Sequence, residues 1–147
     1  MRTVSFVLMN AAIGDVEACL AAAGLEHLVD QPTQWNYPSG QPVLYATCSR
    51  YTPAAFPGEH DEVVLRTGGR VPTVEIQVDV SGRVTGDAEI RWLAEILLSG
   101  FDGIAFDDFL GLKHGWTLDE IRRNQVIDGL GFFDYREAYR RTIGEAG

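Results

Sequence analysis

From Thr73 to Val80 apolar and polar residues alternate without a break. Val74, Ile76, Val78 and Val80 fall on one side of an extended chain, and Thr73, Glu75, Gln77 and Asp79 on the other. That period of two predicts a strand over Pro72 to Val80 in a sheet covered on one face, the second face meeting water or a partner. Thr3 to Met9 is β-branched and apolar, which predicts an opening strand buried on both faces. The helical period comes next. Val16, Cys19, Leu20 and Ala23 form one stripe, with Asp15 placed to cap it and Gly24 to end it. Ile90, Leu93, Ala94 and Leu97 form a second, between Asp87 as cap and Ser99-Gly100 as close.

The remaining segments carry turn chemistry. Glu26 to Gln41 mixes Pro32, Asn36, Pro38, Ser39 and Gly40 with Trp35 and Tyr37. It predicts a long loop whose two rings either close over the core or stand out as recognition anchors. Pro42 to Ser49 predicts a second strand. A turn at Pro57 to Asp61 leads into a third, Glu62 to Thr67, placed to form a hairpin with Pro72 to Val80 across Gly68-Gly69. Gly103 to Phe106 predicts a short buried strand and Leu110 to Trp116 a loop. Thr117-Leu118-Asp119-Glu120 has the capping-box spacing, with Trp116 placed to staple onto Ile121, and a last helix is expected from Asp134 to Ile143. The strands from Pro42 to Val80 are joined by connections too short for crossover helices. The fold class expected is therefore α+β: a ferredoxin-like split βαβ sandwich with an extra strand and C-terminal helices, in a single domain spanning residues 1–147.

Composition narrows the partners. The chain has 147 residues, 46% of them hydrophobic, enough for one core, and its formal net charge is -9. From Glu75 to Asp108 eight acids stand against two bases, so this segment carries most of that charge. The basic cluster Arg136, Arg140 and Arg141 is interleaved with Asp134 and Glu137, which argues against nucleic acid as a partner. Net acidity suits a cationic protein partner, or solubility alone. No apolar run is long enough to span a bilayer and no secretory leader is evident, so a cytoplasmic protein without membrane contact is expected. Cys19 and Cys48 lack C-x-x-C spacing and read as reduced, packed thiols.

Candidate chemistry is sparse. Asp107 and Asp108 end a predicted strand, where carboxylates can serve a metal or acid-base work, with His114 as a third member. Neighbouring residues on an extended chain point oppositely, however, so only one aspartate can face a given site, and solvated turn carboxylates are the simpler reading. Glu59-His60-Asp61-Glu62 sets a histidine among acids in a surface turn, without the second histidine or cysteine pair of a metal site. Cys48 and a histidine share no local motif of a thiol hydrolase. The glycines form neither a dinucleotide nor a P-loop signature. No catalytic residue, metal or cofactor is expected, and binding is favoured over catalysis.

The run Glu89-Ile90-Arg91-Trp92-Leu93-Ala94-Glu95-Ile96-Leu97-Leu98-Ser99-Gly100-Phe101-Asp102-Gly103-Ile104-Ala105-Phe106-Asp107-Asp108, a helix, an F-x-G turn and a short strand ending in aspartates, resembles small bacterial immunity-type proteins. Those families belong to polymorphic toxin and contact-dependent competition systems. The resemblance implies an acidic, cytoplasmic, non-enzymatic protein that blocks one toxin by covering its active site.

The leading expectation is a protein-binding module that presents an acidic sheet edge and loops to a cationic toxin domain. Glu75, Asp79, Asp107 and Asp108 are its candidate rim or anchor acids, and Trp35 and Tyr37 its candidate aromatic anchors. One alternative is a small enzyme or ligand-binding domain with a pocket near Asp107, Asp108 and His114. Another is a homodimeric structural protein, paired through the exposed strand face or an open edge.

Overall fold

The computed structural model describes residues 2–52, 57–107, 114–134 and 140. In chain order the elements are β1 (Arg2–Met9), α1 (Ile13–Ala22), β2 (Glu26–His27), β3 (Gln34–Tyr37), β4 (Leu44–Arg50), α2 (Pro57–Thr67), β5 (Pro72–Val80), α3 (Asp87–Gly100), β6 (Asp102–Asp107) and α4 (Leu118–Arg122). The strands form one antiparallel sheet in the order β2-β3-β4-β5-β1-β6. Within it β5 lies between β1 and β4, and β1 lies between β5 and β6. The units β1-α1-β4 and β5-α3-β6 are thus each split by a strand of the other, which is the α+β, ferredoxin-like arrangement expected. Two strands rather than one extend it at the β4 edge.

Local pattern explains the regular parts. In β5, Val74, Ile76, Val78 and Val80 are all buried, as the alternation requires. In α1 the buried residues are Val16 and Leu20, and in α3 they are Ile90, Leu93, Ala94, Leu97 and Leu98. Both helices close over the sheet face formed by Val4, Phe6, Leu8, Leu44, Ala46, Cys48 and the β5 valines. Gly24 has φ +95° just past the end of α1, where the left-handed residue was expected. Thr117 and Glu120 form the full capping box of α4. Two expected caps are corrected: Ala12 precedes α1 without a side-chain cap, and Gly86, at φ +67°, precedes α3, so Asp87 is freed to meet Arg2.

Two larger corrections follow from packing. The expected turn and third strand over Pro57 to Thr67 form one helix, α2, so the hairpin with Pro72 to Val80 does not exist and the neighbours of β5 are β4 and β1. The run Val63-Val64-Leu65 looks strand-like, yet Val63 alone is buried while Val64 and Leu65 are exposed, as one helical face against a sheet dictates. An Arg66 to Glu62 ion pair one turn apart supports it, and Gly68 and Gly69, both at positive φ, end it. The expected loop over Glu26 to Gln41 contains β2 and β3, because His27 and Trp35 face one another in register and stack at 4.3 Å.

Beyond α1 and α3, the second sheet face is divided. Toward β6, Val7, Ile104 and Phe106 pack with Val63 of α2 and with Tyr51. Toward β3 it carries polar side chains. Trp116 pairs with Ala105 through two backbone hydrogen bonds of 2.8 and 2.7 Å and so occupies part of the outer edge of β6. No helix among the described residues is long and apolar enough to cross a membrane. The expected helix at Asp134 to Ile143 and part of the loop from Leu110 lie outside the described residues, apart from Asp134 and helical Arg140.

Candidate functional site

The face that β3, β4 and β5 turn away from α1 and α3 follows from alternation in β4. Leu44, Ala46 and Cys48 point into the core, which sends Tyr45, Thr47 and Ser49 to the other side. Register then aligns two polar rows. Glu26, Asn36, Tyr45, Asp79 and Thr3 face one another across β2, β3, β4, β5 and β1. Gln34, Thr47, Gln77 and Ser5 form the row beside them. Thr47, Ser49 and Gln77 are exposed, and Tyr45 and Asp79 are half-buried. Gln34, Tyr45, Thr47, Asp79, Ser81 and Gly82 line an open cavity of about 340 Å³ on this face.

The acids named from the sequence separate sharply. Asp79 lies on the open face, where Thr3 Oγ1 donates to its Oδ1 at 2.8 Å. Glu75 is on the same side of β5 but beside Val7 and Ser49, and it is 8% exposed, which makes it a buried acid rather than a rim residue. Asp107 points to the helix-covered face and is 2% exposed. Its Oδ2 accepts from Arg2 Nε at 2.8 Å and lies 2.7 Å from a terminal nitrogen of the same guanidinium. A second terminal nitrogen of Arg2 reaches Asp87 at 2.8 Å, and the group also donates to the Phe132 carbonyl at 3.1 Å. Asp107 therefore joins β1, β6 and the C-terminal segment from inside, and the anchor role expected for it is corrected to a buried structural pair. Asp108 lies outside the described residues.

The aromatic anchors are corrected in the same way. Trp35 is 5% exposed and belongs to the main core, with His27 covering it. Tyr37 is half-buried and packs its ring on Trp92 of α3 at 4.4 Å. Both rings turn toward α1 and α3, because Trp35 pairs with core-facing Ala46 and Tyr37 with core-facing Leu44.

His114 belongs to a different cluster from Asp107. Its Nε2 lies 3.1 Å from Glu120 Oε2, and Arg66 of α2 packs on its ring. Glu62 accepts from Arg66 Nε and from the Gly115 amide, both at 3.1 Å. Burial pushes the Glu120 carboxyl up, but the backbone hydrogen bond from Thr117, the charges of His114 and Arg66 and the hydrogen bond to His114 outweigh it and hold it below the usual range. This network clamps α2 and α4 to the strand-like segment at Trp116. Nearby, Tyr51, just past β4, and His60 of α2 hydrogen-bond through Oη and Nδ1 at 2.9 Å. Cys48 is 2% exposed, and burial first, then the charge of Glu17, pushes its thiol up to about 11, opposite to what an activated nucleophile needs. Among the described residues no group of three or more metal-ligating side chains could hold an ion.

The chain matches no family model, and neither the curated proteins nor the solved structures include a significant match to it. The open face itself was partly visible in the sequence: Tyr45, Thr47 and Ser49 alternate with Leu44, Ala46 and Cys48 as clearly as Glu75, Gln77 and Asp79 do with their neighbours. Arg2 carried no local signal, since the need for a cation there arises from Asp107 and Asp87, far along the chain.

Proposed function

We propose that the protein is a non-enzymatic binding module of the immunity type, which neutralises a cationic toxin domain in the cytoplasm by covering it with the open face of β3, β4 and β5. The observation that carries this reading is that face itself: an open, polar, hydrogen-bonding surface that presents Asp79 on β5 and has Glu26 at its margin. Several acids elsewhere are engaged within the chain, Asp107 and Asp87 by Arg2, Glu62 and Glu120 by Arg66, Glu95 by Arg122 and Asp102 by Arg70. An acid committed to an internal cation offers little field to a partner, whereas Asp79 remains available to complement a basic surface. Electrostatic complementarity of this kind speeds encounter and fixes register, and it weakens with salt.

The test is affinity capture by the tagged chain from its own bacterium at low and moderate salt, followed by mass spectrometry. One stoichiometric basic protein is expected, retained less at higher salt and less by Asp79→Arg. Capture indifferent to both salt and Asp79→Arg removes the reading.

A further inference from the structure

The geometry points to a seat for an arginine side chain of the partner at Tyr45 and Asp79, an inference that rests on the binding-module reading and names the chemistry of its contact. Tyr45 and Asp79 are cross-strand neighbours on the open face, so an aromatic ring and a carboxylate stand side by side at the wall of the cavity of about 340 Å³. Thr3 occupies one oxygen of Asp79, and the second has no partner among the described residues. Gln34 donates its amide nitrogen to Asn36 Oδ1 at 3.0 Å, which leaves its carbonyl oxygen as an acceptor at the same cavity, beside the Thr47 hydroxyl.

The lining is therefore biased toward acceptors next to one aromatic ring. Arg83, at the rim, does not fill it, because its guanidinium is held by the Pro42 carbonyl at 2.8 Å, Ser81 Oγ at 3.1 Å and Gln41 Oε1 at 3.4 Å. A planar guanidinium uses such a site fully: it stacks on the tyrosine ring while its fork donates to the carboxylate and to the neutral oxygens. A lysine ammonium has neither the plane nor the fork and makes fewer of these contacts. The occupant is thus an arginine on the toxin-like partner, entering the face between β3 and β5.

Amide NMR titration of the labelled full chain with N-acetyl-arginine methylamide tests the seat. The neutral citrulline analogue and the lysine analogue serve as controls, and Asp79→Asn as the variant, with Tyr45→Ala as a second. Saturating shifts confined to Gln34, Tyr45, Thr47, Asp79 and Ser81 are expected, weakened about tenfold or more for citrulline, as loss of a charge-assisted pair implies. They are expected to disappear in Asp79→Asn while its remaining spectrum is unchanged. Shifts elsewhere, or equal shifts with citrulline, overturn the seat. A seat that titrates while Asp79→Asn captures the basic partner undiminished overturns the partner's arginine as occupant and leaves a site for a free guanidine. Failure of all capture with a working seat removes the binding-module reading and the partner's arginine together, while the guanidinium site itself remains.

Discussion

Arg2 and Asp107, 105 residues apart in the chain, pair at 2.7 Å with side chains 2% and 0% exposed, and the same guanidinium reaches Asp87 and the Phe132 carbonyl. One buried cation thereby holds the start of β1, the end of β6, the first residue of α3 and the C-terminal segment. Phe132 and Phe133 lie over it at 5.7 Å each, adding ring contacts to the charge pairs.

Removing either partner leaves a charge buried with fewer partners, so Arg2→Met and Asp107→Asn are each expected to destabilise the fold by about 3–5 kcal/mol. The double variant should cost less than the two single losses added together, because it leaves no buried charge orphaned, Asp87 being 42% exposed to solvent. Urea unfolding of the three variants checks this, and additive losses would show that the pair does not act as a unit.

Trp35 sits in the core beneath His27, not on a recognition loop. Trp35→Ala should cost about 3–5 kcal/mol, the loss typical of a large buried ring, and the main readout should be the unfolding midpoint. Tyr45→Ala on the open face should cost clearly less and act chiefly on binding.

Gly103 lies where β6 crosses close to β1. A Cβ there would stand 2.4 Å from the Val7 carbonyl oxygen and 2.7 Å from Leu8 Cδ2, and the backbone contact cannot yield as a flexible side chain would. Gly103→Ala is expected to destabilise by about 1–3 kcal/mol, in contrast to Gly100→Ala, where nothing lies within 4 Å.

Stability should also fall in acid in a way that Glu120 partly controls. Its folded carboxyl is held below its unfolded value, so its contribution is fully present above the unfolded carboxylate range and is lost as pH falls through the folded one. Glu95 is lowered too, by its hydrogen bond to Arg122 before all else, and acts with the same sign from an exposed position. Urea midpoints between neutral pH and about pH 3 should therefore decline below the usual carboxylate range near 4.3. Glu120→Gln should flatten that decline in part, and an unchanged slope would show that the His114 cluster does not couple to folding.

Where the reading of the chain held, one backbone period decided the matter. The alternation of β5 and the stripes of α1 and α3 are legible because side-chain direction is set by the local backbone alone. The capping box at Thr117 is legible for the same reason, as both its hydrogen bonds close within four residues. Where the reading failed, a short apolar run admitted two solutions. Val63-Val64-Leu65 serves a helix because only Val63 finds a surface, formed by Val7, Ile104 and Phe106, to pack against.

By itself, then, the amino-acid order determined the α+β class, the elements with strong periodicity, the acidity of the chain and the polar second face of the sheet. Tertiary structure alone decided which of those acids meet solvent. Asp79 remains on the open face, while Glu75 and Asp107 are buried, and Trp35 is enclosed by the strand pairing of its own segment. A carboxylate's availability depends on what packs against it and which cation reaches it, and for Asp107 that cation is supplied by the first residue of β1, 105 residues earlier in the chain. No local pattern encodes that meeting.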